Sequence, residues 1–194
     1  MAKNIALYFL YFIFYSFLGW IYELLVGILE YHRGFVNRGF LFGPYLPVYG
    51  FGSLLFILLL YRKTKIRLSL FRLNLTPLLI FLSIMLLATL LELLTSYIME
   101  ATIGEWLWNY NEYFLNFQGR IALKSSLRFA LGGSIILYLI HPMLESILKK
   151  QSEKQLMIIF GIVALFFFTD LAARPFLGSN FSEKRSEENS RFHS

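Results

Sequence analysis

The chain has 194 residues, is 57% hydrophobic and 19% aromatic, and carries 15% charged residues with a net charge of +6. Soluble domains carry about 25% charge, so this balance belongs to the membrane class and leaves no stretch for a sizeable soluble domain. The absence of cysteine excludes disulfides, thiolate metal sites and cysteine nucleophiles, and the basic excess, set in short clusters beside apolar runs, fits membrane topology and argues against a nucleic-acid partner.

The first expected element is the apolar run from Ile5 to Leu29, roughly 25 residues and long enough to cross a hydrocarbon core of about 30 Å as a helix. Lys3 precedes it as in a signal peptide. The run is too long for an h-region, however, lacks a small-x-small cleavage site and contains Glu23, so a retained helix is expected. A carboxylate at that depth costs about 3 kcal/mol or more unless it faces a partner or water. Ser16, Gly19, Glu23 and Gly27 share one stripe, and small residues there let helices approach closely.

A second hydrophobic stretch runs from about Phe40 to Tyr61, interrupted by Gly43-Pro44, Pro47, Gly50 and Gly52. Proline lacks an amide donor, so a straight helix is expected to begin only near Pro47. The remaining piece, roughly 15 residues, is short for a full crossing. A Gly/Pro-interrupted segment points to a transporter binding site; an interfacial loop followed by a short tilted helix explains it equally well.

Arg62, Lys63, Lys65, Arg67 and Arg72 form a basic connector. A third helix is expected over about Leu75 to Met99 and a fourth over about Ile121 to Ile140, stopped by His141-Pro142. Lys149, Lys150 and Lys154 precede a fifth, over about Gln155 to Ala173, and residues 178–194 read as a disordered polar tail. The expected fold is therefore an all-α polytopic transmembrane bundle over residues 1–177, with about five membrane segments. The positive-inside rule puts the amino terminus and the basic connectors in the cytoplasm of a multi-pass cell-membrane protein.

Glu92 and Arg128 repeat the anomaly of Glu23. At about 1.5 Å per helical residue, all three fall roughly 10 Å beneath the outer face. Thr89, Glu92 and Ser96 form a second stripe, and Lys124, Arg128 and Gly132 a third. The bland alternative is an ion-pair network that only holds helix register. Asp170 and Arg174, one turn apart, are read as an intrahelical ion pair without function. His32, His141 and His193 are dispersed, so neither a metal cluster nor a cofactor is expected.

Both outer connectors place asparagine, glycine and arginine before an inward-running helix: Asn37-Arg38-Gly39, and Asn116 with Gly119-Arg120. Helix amides and a guanidinium fork suit a phosphate or carboxylate; snorkelling to headgroups is the competing explanation. The candidate ligand-binding set is Glu23, Asn37, Arg38, Glu92, Asn116, Arg120 and Arg128. Trp106, Trp108, Tyr110, Tyr113, Phe114 and Phe117 crowd the second connector as an interfacial belt or a stacking surface.

The stretch Ser16-Phe17-Leu18-Gly19-Trp20 through Glu23, then NRGFLFGPYLPVYGFG from Asn37 to Gly52, resembles the bacterial membrane family labelled putative ABC-transporter type IV. The likeness continues through Glu92, Trp108 to Tyr110, Asn116 to Ile121 and His141-Pro142. It implies a small permease-like protein. Asn109 stands where the pattern has aspartate, and Leu46 where it more often has cysteine, which argues against acid or thiol roles there. No Walker A sequence is present, so any ATP-driven step needs a separate ATPase subunit. Three functions are carried forward. The first is a transport-type protein with a polar intramembrane site for an anionic or zwitterionic ligand. The second is an intramembrane enzyme on an anionic lipid or lipid-linked headgroup, with Glu23 or Glu92 as base and Arg38, Arg120 and Arg128 holding phosphate. The third is a structural or regulatory protein whose charges only hold helices together.

Overall fold

The computed structural model describes residues 1–29, 41–70, 73–104, 106 and 108–177. Helices dominate: α1 (Ala2–Leu29), α2 (Pro47–Leu60), α3 (Thr76–Ile103), α4 (Leu123–Ile135), α5 (His141–Lys149) and α6 (Glu153–Leu177). Two short antiparallel hairpins interrupt them, β1 (Ser69–Leu70) with β2 (Leu73–Asn74), and β3 (Asn116–Phe117) with β4 (Ile121–Ala122). Among the described residues, four helical stretches are long and apolar enough to cross a membrane: Ala2–Leu29, Thr76–Thr102, Leu123–Lys149 and Glu153–Ala173. Their outward faces are apolar, with Leu86, Leu94, Leu165 and Phe166 each more than half exposed, as lipid contact requires.

The interrupted second segment behaves as its prolines demand. Helix α2 starts at Pro47, where the missing amide falls on a position without an intrahelical partner, and runs for 14 residues. The expected stop at His141-Pro142 is overturned. The fourth helix runs on through a π-helical turn, Ile136–Ile140, directly into α5. The His141 amide bonds back five residues to Ile136. Widening one turn gives the backbone a place for a proline ring that would clash in a regular α-helix.

The chain divides into two compact units, residues 1–51 with 151–194, and residues 52–150. In the first, α1 packs on α6 through aromatic rings: Phe9 meets Phe160 at 5.2 Å and Phe167 at 5.9 Å between centroids. The stripe on α1 accepts the start of α2. A Cβ added at Gly19 would fall 2.3 Å from the Tyr49 side chain, and one at Gly50 would fall 2.6 Å from the Phe12 carbonyl oxygen. The Leu46 amide donates to the Ser16 carbonyl at 2.9 Å, so the Gly-Pro loop is bonded to α1.

In the second unit α3 and α4 form the main contact. Ile84 and Ala130 are fully buried, and a Cβ on Gly133 would lie 2.6 Å from Ile84. The face that α4 turns to α3 is Ser125, Ser126, Ala130 and Gly133. The anticipated stripe of Lys124, Arg128 and Gly132 is displaced from it: Lys124 is exposed, and nothing lies within 4 Å of a Cβ on Gly132. One residue of register turns a helix by about 100°, and small serines pack closer than long cations.

Candidate functional site

Glu23 lies half-buried on α1 and accepts a hydrogen bond of 2.5 Å from the Tyr49 hydroxyl of α2. That bond exists because Gly19 admits the tyrosine ring one turn earlier on the same stripe. A second carboxylate of this unit was not anticipated in any binding role. Asp170 on α6 accepts the Phe42 amide at 3.0 Å, the Gly43 amide at 2.8 Å and the Tyr45 hydroxyl. It thus holds the Gly-Pro loop from the side opposite in sequence, a tertiary role that its helical spacing to Arg174 did not reveal. The Arg174 side chain, and Asn37 and Arg38 with their loop, lie outside the described residues.

In the second unit the stripe on α3 meets partners at every position. Thr89 donates to Ser126 at 2.7 Å. Glu92 accepts from Tyr110 at 2.7 Å and from Ser125 at 3.1 Å. Ser96 receives an Arg120 nitrogen at 3.4 Å. Glu92 is therefore the point where one carboxylate joins α3, α4 and the connector between them.

Arg120 is 6% exposed. Its guanidinium pairs with Glu100 at 2.5 Å and lies 4.2 Å from the Tyr97 ring centre and 4.0 Å from that of Trp106. Its Nε is buried without a hydrogen-bond partner, while its carbonyl accepts Trp108 Nε1 at 2.7 Å. The fork expected to face an anion is occupied by an internal carboxylate. Asn116 is likewise a builder of its loop: Nδ2 donates to the Asn111 and Tyr113 carbonyls, and Oδ1 accepts the Gly119 amide at 3.1 Å. Gly119 has φ +67°, which glycine adopts freely. Asn109 accepts the Asn111 amide at 2.9 Å, a turn role that aspartate fills equally well.

The aromatic crowd in this connector is thus largely internal fastening. Tyr113 stacks on Tyr110 at 5.4 Å, and Lys124 sits 4.7 Å from the Tyr113 ring centre. Arg128 is half-buried on α4. An apolar groove of about 440 Å³ runs between α3 and the β3–β4 hairpin, lined by Leu86, Thr89, Asn116, Phe117 and Ser126 among others.

The far end of this unit holds a further cluster. His141, 1% exposed, meets the Tyr61 ring edge-on at 4.5 Å. Tyr61 donates to Glu145 at 2.8 Å, and Lys149 pairs with Glu145 at 2.6 Å. Tyr61 stands just outside the long spans. Burial, and then its bond to Glu145, push its phenol up to about 12, so it remains a protonated donor. Among the described residues no group of three or more His, Asp or Glu side chains could hold a metal ion.

Residues 10–174 match the family model described as "Putative ABC-transporter type IV". No match was found among curated proteins or among solved structures.

Proposed function

Because the chain belongs to the family described as Putative ABC-transporter type IV, the match covering residues 10–174, we propose that this multi-pass membrane protein is a permease or substrate-binding component. Its polar intramembrane site takes an anionic or zwitterionic ligand. The observation that carries the reading is Glu92, whose carboxylate accepts hydroxyls from both the connector and α4. A ligand that competes for those hydroxyls, or for the carboxylate itself, loosens the connector from two crossing helices at once. Such a rearrangement is what alternating access needs. Arg128 lies half-buried on α4 of the same unit, while Arg120 is paired with Glu100. The chain has no Walker A sequence, so a separate ATPase is the partner if the cycle is driven by nucleotide.

The test is a paired solute and lipid profile of a deletion strain. The strain is complemented by the wild type, Glu92→Gln or Glu92→Ala at matched protein levels. Transport predicts that an anionic or zwitterionic solute redistributes between cells and medium, and that Glu92→Ala fails to reverse it. A change confined to lipid headgroups, with solutes unmoved, replaces this reading with the intramembrane enzyme.

A further inference from the structure

The connector between α2 and α3 folds into the β1–β2 hairpin, in which Ser69 pairs with Asn74 and Leu70 with Leu73. The ladder continues outward, because the Leu75 amide donates to the Leu68 carbonyl at 2.8 Å. Side chains alternate across a strand. Leu70 and Leu73, directly opposite one another, therefore share one face with Leu68, two residues before Leu70, and Ser69 and Asn74 share the other. Leu68 is 52% exposed, Leu70 54% and Leu73 67%. Ile66, extended and 54% exposed, precedes Leu68 by two residues.

An apolar face of this kind is costly in water, and an isolated two-stranded hairpin is marginal there. The hairpin is nonetheless tied down. The Thr76 hydroxyl donates to the Ile66 carbonyl at 2.8 Å and accepts the Leu68 amide at 2.9 Å, which fixes the hairpin to the first residue of a membrane-crossing helix. Arg62, Lys63, Lys65 and Arg67, all exposed, precede it within one helical turn or two.

We propose that this hairpin is an interfacial anchor, its leucine face lying in the headgroup layer of the adjoining leaflet and its basic collar gripping anionic phospholipids. Three features select a bilayer over a protein partner. The hairpin is held at a span boundary. Its apolar side is shallow, as a layer a few ångströms deep accepts. The collar's charge complements an anionic leaflet, whose attraction fades within a Debye length of about 8 Å. The inference is independent of the transport reading, since it concerns neither Glu92 nor any solute.

The experiment uses the full chain, free of native cysteine, in lipid nanodiscs. Single variants Leu70→Cys, Leu73→Cys and Ser69→Cys carry an environment-sensitive fluorophore. In discs of phosphatidylcholine with phosphatidylglycerol, the two leucine positions are expected to emit blue-shifted light. They should also resist iodide several-fold better than the Ser69 position and be quenched by spin-labelled lipid. Phosphatidylcholine alone, or Arg62→Gln with Lys63→Gln and Arg67→Gln, is expected to weaken that protection. Equal iodide access on both faces in anionic discs overturns the anchor and leaves a protein as the occupant of the leucine face. Protection identical in neutral and anionic discs overturns the headgroup grip.

Discussion

Among the described residues, four carboxylates in or beside the spans accept a tyrosine hydroxyl: Glu23 from Tyr49, Asp170 from Tyr45, Glu92 from Tyr110 and Glu145 from Tyr61. Tyrosine suits this role because its ring is at home among apolar neighbours while its tip donates one strong bond. The acids were legible in the sequence, since a charge inside an apolar run stands out. Their partners were not, because 12 tyrosines spread along the sequence carry no mark of which one meets an acid. Asp170 was passed over because a cation one turn away offered a sufficient local explanation. Its loop amides lie more than a hundred residues away in sequence. We predict that Asp170→Asn destabilises nearly as much as Asp170→Ala, about 1–3 kcal/mol. The amide keeps one acceptor oxygen for the loop and turns its own NH2 donors on whichever of the Phe42 and Gly43 amides lies opposite. Thermal unfolding of the detergent-solubilised protein decides it, and a silent Asp170→Asn removes the clamp. Arg120 supplies a second case. Glu100→Ala strips the acceptor from a guanidinium that is 6% exposed; Glu100 itself is 44% exposed, so the expected cost falls between an exposed and a buried pair, about 1–2 kcal/mol. Glu100→Ala combined with Arg120→Met should cost clearly less than the sum of the two single changes. Additive losses in that cycle would show that no pair is coupled.

Elements were easier to foresee where a backbone rule acts locally. Pro47 announced the start of α2 because a proline favours the first turn of a helix. The same residue type misled at Pro142, where the remedy is a π turn built from Ile136–Ile140, five ordinary apolar residues that give no sign of it. The two hairpins escaped notice because each strand is only two residues long, shorter than any alternation can reveal. Close helix approach was legible on α1, whose stripe is used as spaced, and off by one residue on α4. The glycines allow a sharp contrast. Gly50→Ala places a methyl group against Ser16 and the Phe12 backbone, where nothing flexible can give way, and is expected to lose about 1–3 kcal/mol. Gly52→Ala, two residues on in the same helix, meets nothing within 4 Å and is expected to be neutral or to gain up to about 1 kcal/mol. Equal effects at the two positions, read by thermal unfolding side by side, would show that α2 does not depend on its close approach to α1.

At the scale of the whole molecule, composition settled the class and the family match settled membership, while the path of α2 through the bilayer decides everything about sidedness. Its 14 residues span about 21 Å at 1.5 Å each, short of a hydrocarbon core of about 30 Å. The loop ahead of it is bonded to α1 and to Asp170, so the amides of Phe42, Gly43 and Leu46 find acceptors within protein, as membrane depth requires. We therefore expect α2 and that loop together to complete a crossing. The amino terminus and the connector at Thr64 then share the cytoplasmic side, where Lys3, Arg62, Lys63 and Lys65 satisfy the positive-inside rule. Helix α3 places Asn111 opposite Thr64 in either case, so a third site is needed to read α2 itself. Single cysteines at Ala2, Thr64 and Asn111, probed with an impermeant reagent on intact cells, are expected to label only at Asn111. Labelling at Ala2 together with Asn111, with Thr64 protected, means that α2 returns without crossing and the amino terminus is outside. Labelling at Thr64 without Asn111 would invert the whole topology and remove the charge rule as its cause.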